Sequence, residues 1–420
     1  MSEPVYLRKS ERQAMPKTAS KYRTTAGELA AATRKKRLRI FLAACGVLAV
    51  VATAILSLSA LEPGLFAGRD AQPVMATPTS VPTVTVEPTA SVEPTAPPEP
   101  SRPATITVAA VGDMIFDRRV KTLIASTNGA EPLSDVAAQL AVADIAVGNL
   151  ESPLSTGGIR NTAKDVTFRG DPRGADGLAL AGFDFLSLAN NHVLDYGPDA
   201  LADTVALLDG LSIGHAGAGA NRDEAWTPAV VETDGATVAF LSFSHILPAG
   251  FVATDSRAGL AQGRNNMDAV EDAIRSAKEE YDYVIVSFHW GVEYVDDCNG
   301  DQVKDAHRAV DAGADMVMSH HPHVIQAVEY YNNRLIAYSL GDFVFDHYSR
   351  KTGEAFILDA SLGPAGVSDV KITPVYLDSN GKPEYVHGKE ATAILERLHD
   401  ISAKRGTTVP VDGDTAAVTP

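Results

Sequence analysis

Between about residues 105 and 403, short apolar runs alternate with stretches of helical period. Strands are expected at 106–111 (ITVAAV), 144–148 (DIAVG), 184–188 (DFLSL), 238–243 (VAFLSF), 283–288 (YVIVSF) and 315–318 (DMVM). Each is a β-rich run with few charges, the pattern of a strand buried on both faces. Helices are expected at 132–142, 198–209, 267–280 and 301–312. Farther on, 324–330 and 334–345 flank Asn332-Asn333, a hairpin turn signal, and 355–377 adds more strands. Such alternation predicts an α/β layered core, and no internal repeat of fixed period is present.

Outside this region the pattern changes. Ile40 to Leu61 is a run of 22 residues without a charge, directly preceded by RKKRLR at 34–39. At about 1.5 Å per residue a helix of this length spans a hydrocarbon core of roughly 30 Å. A cleavable signal peptide has an apolar region of about 7–15 residues behind a shorter basic leader. The run therefore reads as an uncleaved transmembrane anchor, with the basic tail 1–39 cytoplasmic and the remainder outside the cell. Residues 62–104 hold ten of the 24 prolines, interleaved with Thr, Val and Glu, and read as a stalk with no helix or packed core. The last stretch, 404–420, is polar and unpatterned and reads as a disordered tail.

Composition narrows the function. Of 420 residues 45% are hydrophobic, enough for one large core. Two cysteines, Cys45 and Cys298, exclude a disulfide scaffold and a four-cysteine zinc site. The net charge is -17, although the first 39 residues carry 11 Lys and Arg against 3 Asp and Glu, so the rest is more acidic still. An acidic domain repels nucleic-acid phosphates and attracts divalent cations, which argues against a nucleic-acid partner.

Candidate chemistry collects where the strands end. Asp113 follows ITVAAV, Asn149 and Glu151 follow DIAV, Asn190-Asn191-His192 follow FLSLA, His289 follows VIVSF, and His320-His321-Pro322-His323 follow DMVMS. In layered α/β folds the carboxyl ends of strands converge on one edge, where ligands bind. Carboxylates, an amide oxygen and imidazoles form a mixed set suited to two borderline ions such as Mn, Fe or Zn, whereas calcium takes oxygen alone. His321 and His323 are two apart, so in an extended segment, which the intervening proline favours at His321, both would point to one side. Two such ions can activate a shared water for hydrolysis. His192 could then protonate the leaving group with Asp195 holding its tautomer; the alternative for Asp195 is a helix cap before Tyr196-Gly197-Pro198.

These residues, in this order, resemble the bacterial poly-gamma-glutamate capsule biosynthesis protein CapA family, whose domain is similar to a calcineurin-type metallophosphoesterase. The resemblance rests on VGDMIFDR, GNLESPLS, GFDFLSLANNHVLDYG, SFHWGVEY, GADMVMSHHPHVIQ and YSLGDFVFD, and covers about 105–346. It implies a four-layer αββα sandwich over 105–403, with Asp113, Glu151, Asn191, His289, His321 and His323 as metal ligands, His192 as acid and Arg118 gripping an anionic group. Three positions depart from the wider pattern. Ile115 stands where a histidine is usual, which leaves the first site either incomplete or filled by Asp117 or His320; Ser319 replaces a glycine; and Asp342 replaces an asparagine, adding charge near the cleft.

The resulting expectation is a membrane-anchored extracytoplasmic protein that uses two divalent ions to act on poly-gamma-glutamate or a related anionic polymer, alongside membrane-embedded synthase subunits. The alternative is a non-catalytic module that binds the polymer or scaffolds the synthase.

Overall fold

The computed structural model describes residues 104–233 and 235–419. The basic tail 1–39, the apolar run 40–61 and the stalk as far as residue 103 lie outside the described residues, and among the described ones no helix is long and apolar enough to cross a membrane.

The fold is mixed α/β with two large sheets. In the first, Ile106–Met114 lies between parallel Ile145–Leu150, which leads on to Phe183–Ser187 and Gly214–Ala216, and antiparallel Glu354–Gly363, which leads on to Gly366–Leu377. In the second, Ala236–Ser244, Tyr283–His289 and Met316–His320 run parallel, edged by antiparallel Ala229–Thr233 and by the hairpin Val328–Tyr331 and Arg334–Ala337.

Strand alternation explains how the sheets pack, since successive side chains point to opposite faces. Val108 and Ala110 join a core with Val238, Phe240, Ile285 and Met316 of the other sheet, where the rings of Phe185 and Phe240 stack 4.2 Å apart. Their neighbours Ala109 and Val111 turn the other way, onto Val120, Ile124, Leu178 and Leu201 of the helical segments. In the second sheet Ala239 and Leu241 do likewise against Val270, Ile274 and Ala306. The sheets thus share one core between them, and helices cover the outer face of each.

The expected strands all form, and helices run over Gly197–Gly210, Met267–Glu280 and Gly300–Ala312. The helix expected at 132–142 is instead a 3-10 turn, Glu131–Leu133, and a four-residue helix, Ala137–Leu140; Pro132, which has no N–H to donate, lies in the 3-10 turn. Asn332 and Asn333 make the hairpin turn with φ of 50° and 59°, left-handed values that asparagine tolerates. Contrary to expectation, residues 404–419 are not disordered. Val411–Asp412 and Thr415–Ala417 form a hairpin at the edge of the first sheet, with Ala417 opposite Lys371 and with Val409, Ala416 and Val418 buried. Three small apolar residues suffice to seal the core beside the helix Lys389–Ala403, and within a polar segment they leave little periodic signal.

One close approach positions the strand ends. Asp342–Val344 pairs with the end of Ile106–Met114, setting Asp113 opposite Asp342, and Asp113 N donates to Gly341 O at 3.0 Å. A Cβ on Gly112 would lie 1.9 Å from that carbonyl, so only glycine fits. Gly112→Ala is expected to cost about 1–3 kcal/mol or more as overpacking, lowering the thermal midpoint by roughly 2–4 °C per kcal/mol. Gly210→Ala, at a helix end with nothing near the added carbon, serves as the control and should hold or raise the midpoint.

Candidate metal centre

Each strand end delivers a buried polar side chain to one place. Asp113 is opposite Asn149 in one neighbouring strand and Asp342 in the other, while His289 is opposite His320. Glu151 follows its strand directly, its N–H donating to Met114 O at 2.8 Å. Asn190, Asn191 and His192 follow the strand Phe183–Ser187, and all of these side chains are buried.

Three overlapping groups result: Glu151, His321 and His323; Asp113, His323 and Asp342; and Asp113, Glu151 and His289. In each, one potential ligand atom per residue lies within 4.8 Å of the others. His289 Nε2 faces Asn191 Oδ1 at 2.9 Å and Glu151 Oε1 at 3.6 Å. His323 Nδ1 lies 2.8 Å from Asp342 Oδ1 and 3.6 Å from Asp113 Oδ2. Asn149 Nδ2 donates to Asp113 Oδ1 at 2.9 Å and to Glu151 Oε2 at 3.5 Å, and Asn190 Nδ2 donates in turn to Asn149 Oδ1 at 3.1 Å. The carboxylates are therefore held by an amide relay.

The electrostatics fit a cation. Burial, with the neighbouring Asp113 carboxylate, pushes Glu151 well above the ordinary range, and burial pushes Asp342 up to about 7. Burial also opposes ionisation of Asp113, but His320 and then His323 hold it below its ordinary value. Burial, reinforced by neighbouring imidazoles, holds His289 well below its usual value and takes His321 down to about 3. His323 moves the other way, because Asp342, Glu151 and Asp113 outweigh its burial. Glu151 Oε1, His289 Nδ1, His320 Nε2 and His321 Nδ1 are buried with no hydrogen-bond partner among the described residues. An unpaired buried polar atom costs on the order of 1–3 kcal/mol, so four in one cluster mark a place built around something else. Carboxylate oxygen with neutral imidazole is a donor set for a divalent ion.

The second part of the site surrounds His192. Its Nδ1 lies 2.5 Å from Asp195 Oδ2, which also accepts from Phe168 N at 2.7 Å. The helix that follows begins at Gly197 with Tyr196 as its cap, so Asp195 holds the imidazole rather than the helix. Lys164 Nζ donates to Asp195 Oδ1 and to Asn191 O, both at 2.5 Å. Arg118 is half-buried, donates Nη1 to Tyr348 OH at 2.7 Å, and lies 4.6 Å over the Phe168 ring, which itself packs 4.2 Å from His192.

All six expected ligands and His192, Asp195 and Arg118 thus fall in or beside one buried cluster. Two expectations need correction. Residues 321–323 are not extended: His321 has φ 97° and His323 φ 54°, and the rings meet the carboxylates from a strained turn. Asp117 takes no part in the three groups; it accepts from Arg169 N at 2.8 Å, whereas His320 Nδ1 lies 3.0 Å from Asp113 Oδ1. Ile115 is buried beside Phe168, Phe345 and Leu377. Sequence reasoning misses two members. Asp342 is visible as an acid in the SLGDF motif but falls outside the expected ligand set, and Lys164 carries no signal because its loop has no periodic pattern.

Comparison with known proteins bears on this geometry. Residues 107–347 match the family described as bacterial capsule synthesis protein PGA_cap. The chain is 31% identical over 288 residues to the capsule biosynthesis protein CapA of Bacillus anthracis, covering 67% of this chain and 69% of that one. It is 29% identical over 272 residues to the PGA biosynthesis protein CapA of Bacillus subtilis, covering 64% and 71%. Among solved structures, that of TT1561 of Thermus thermophilus aligns over 61% of this chain and 94% of its own, at 11% identity and a TM-score of 0.34, a slight likeness.

Removing one first ligand from a site with about four leaves it open and weaker. His289→Ala and His323→Ala are each expected to lower bound divalent metal markedly by elemental analysis of the purified full chain. His307→Ala and His399→Ala are the controls, since His307 pairs with Glu329 and His399 accepts from Val409 N, both outside the three groups. Equal metal in all four variants would refute the ligand set.

Proposed function

The chain belongs to the bacterial capsule synthesis protein family, and from that membership and the buried donor set we propose that it is a divalent-metal hydrolase acting on an anionic surface polymer. The observation that carries this reading is the convergence of Asp113, Glu151, His289, His321, His323 and Asp342 as three overlapping groups at the edge where both sheets end. We take the paired sheets with outer helices as the αββα sandwich of the metallophosphoesterase type. The polymer is poly-gamma-glutamate or a relative, as the names of the Bacillus proteins indicate. The apolar run 40–61 would hold the domain outside the membrane, beside the synthase subunits that supply the chain.

Asp113, Glu151, Asn191, His289, His321, His323 and Asp342 would hold two ions from the Mn, Fe or Zn group. Bound there, such ions supply activation of water and neutralisation of charge at the reacting centre. The rest falls to the chain. Asp195 occupies His192 Nδ1, leaving Nε2 as the nitrogen that can exchange a proton with substrate. Burial takes His192 down to about 4, against the pull of Asp195, so the ring rests neutral. An anionic substrate group drawn in by Arg118 would favour its charged form, making it a proton donor to the leaving group only when substrate is present. Tyr348 and Phe168 hold the Arg118 guanidinium for that task.

A polymer-binding module without catalysis is the second reading. Ile115 favours it, being apolar and buried where a further histidine ligand would be usual.

The two readings separate at His192. His192→Ala is expected to keep its metal but lose roughly 10²- to 10⁴-fold in turnover, the usual contribution of a positioned proton donor. The loss should shrink on a nitrophenyl phosphodiester, whose leaving oxygen departs without a proton. Unchanged rates on both poor and good leaving groups would remove the acid from the mechanism, and no metal-dependent turnover of any ester or amide would leave the binding module.

A further inference from the structure

A second polar cavity opens on the same edge of the fold. Its volume is about 550 Å³, and it lies between the ends of the strands Ala236–Ser244 and Tyr283–His289 and the starts of the helices Met267–Glu280 and Gly300–Ala312. It adjoins the metal cluster through the backbone: His245 N donates to His289 O at 2.9 Å, and Trp290, next after His289, forms part of the wall.

The lining carries both charges in unspent form. Arg264 and Lys304 are exposed at the rim, and their side chains have no hydrogen bond or ion pair among the described residues. Two acids face them: Asp301, also without a side-chain partner among the described residues, and Asp305, whose nearest basic group is His245 at 3.8 Å. The other acid and base there, Asp268 and Arg308, are already paired with each other. His245 is 8% exposed, lies edge-on to the Trp290 ring, and its buried Nε2 has no hydrogen-bond partner among the described residues. The 14-residue helix begins here and Asn266 offers it no side-chain cap, so its leading N–H groups and dipole favour an anion, whereas the 13-residue helix is already closed by Asn299 and Gln302.

A simple anion site would not carry Asp301 and Asp305, and a cation site would not carry Arg264, Lys304 and an uncapped helix start. We propose that the cavity binds a zwitterionic amino-acid group: a carboxylate on Arg264, Lys304 and the start of Met267–Glu280, and an ammonium on Asp301 and Asp305. It would take the amino end of an acidic peptide chain while later residues reach the metal cluster. That the chain is a glutamyl polymer rests on the function proposed above; the charge pattern of the cavity does not.

The test is calorimetric titration of the full chain in detergent, with chelator present, using γ-linked triglutamate and its N-acetyl form. Triglutamate is expected to bind, the N-acetyl form at least about tenfold more weakly, and Arg264→Ala/Lys304→Ala to lose at least about tenfold, as when charged hydrogen-bond partners are removed. Asp301→Asn/Asp305→Asn should weaken triglutamate but leave the N-acetyl form unchanged, whereas His323→Ala should bind both as the wild type does. Absence of binding, equal binding of the two ligands, or indifference to both double variants would overturn the proposal. Binding lost only in His323→Ala would place the ligand at the metal cluster instead, overturning this inference while sparing the hydrolase. Binding intact without any metal-dependent turnover would do the reverse.

Discussion

Three carboxylates, Asp113, Glu151 and Asp342, share one buried space with the imidazoles of His289, His320, His321 and His323. Charge at that density in a medium of low dielectric is strongly unfavourable unless it is neutralised. The chain alone does so imperfectly: Glu151 and Asp342 are pushed toward their protonated forms, His323 is drawn toward its charged form, and buried atoms of Glu151, His289, His320 and His321 find no hydrogen-bond partner among the described residues. Divalent cations would meet all three conditions together. The fold, the backbone strain and the supporting hydrogen bonds can each be understood as means of holding this arrangement in place.

The scaffold achieves it by packing two sheets face to face so that their strand ends meet. Gly112 and Gly341 let Asp342 come alongside Asp113, while the parallel register of the second sheet sets His289 beside His320. Some of the backbone strain lies in the same place. Arg118, Tyr294, His321 and His323 all have positive φ without being glycine, and Tyr294 N donates to Pro322 O at 2.8 Å, tying the segment after His289 to the one that carries His321 and His323. Such conformations are costly and persist where surrounding structure enforces them. Around His192, Asp195 and Lys164 form a separate support that leaves the ring out of the three carboxylate-imidazole groups.

Much of this was legible in the sequence because polar residues directly after apolar strands have little structural reason to be there. That signal finds Asp113, Glu151, His289 and the histidines at 320–323 together with their meeting place. It fails where position depends on tertiary contact alone. Lys164 lies in an irregular loop and reaches Asp195 only through the folded chain, the turn at His321–His323 is set by strain rather than by proline's preference, and Val409, Ala416 and Val418 gain meaning only against the core they cover. Asp342 is a different kind of failure: its chemistry is visible, but its reach to His323 depends on the pairing of its short strand with Ile106–Met114.

The central claim, that this cluster is built to hold divalent ions, is tested most directly by anomalous X-ray diffraction from crystals of the full chain grown with Mn²⁺. The account predicts anomalous peaks within about 2.0–2.4 Å of ligand atoms from Asp113, Glu151, His289, His321, His323 and Asp342. An ordered cluster with no peak among these side chains, its carboxylates and imidazoles bridged only by protons and water, would contradict it.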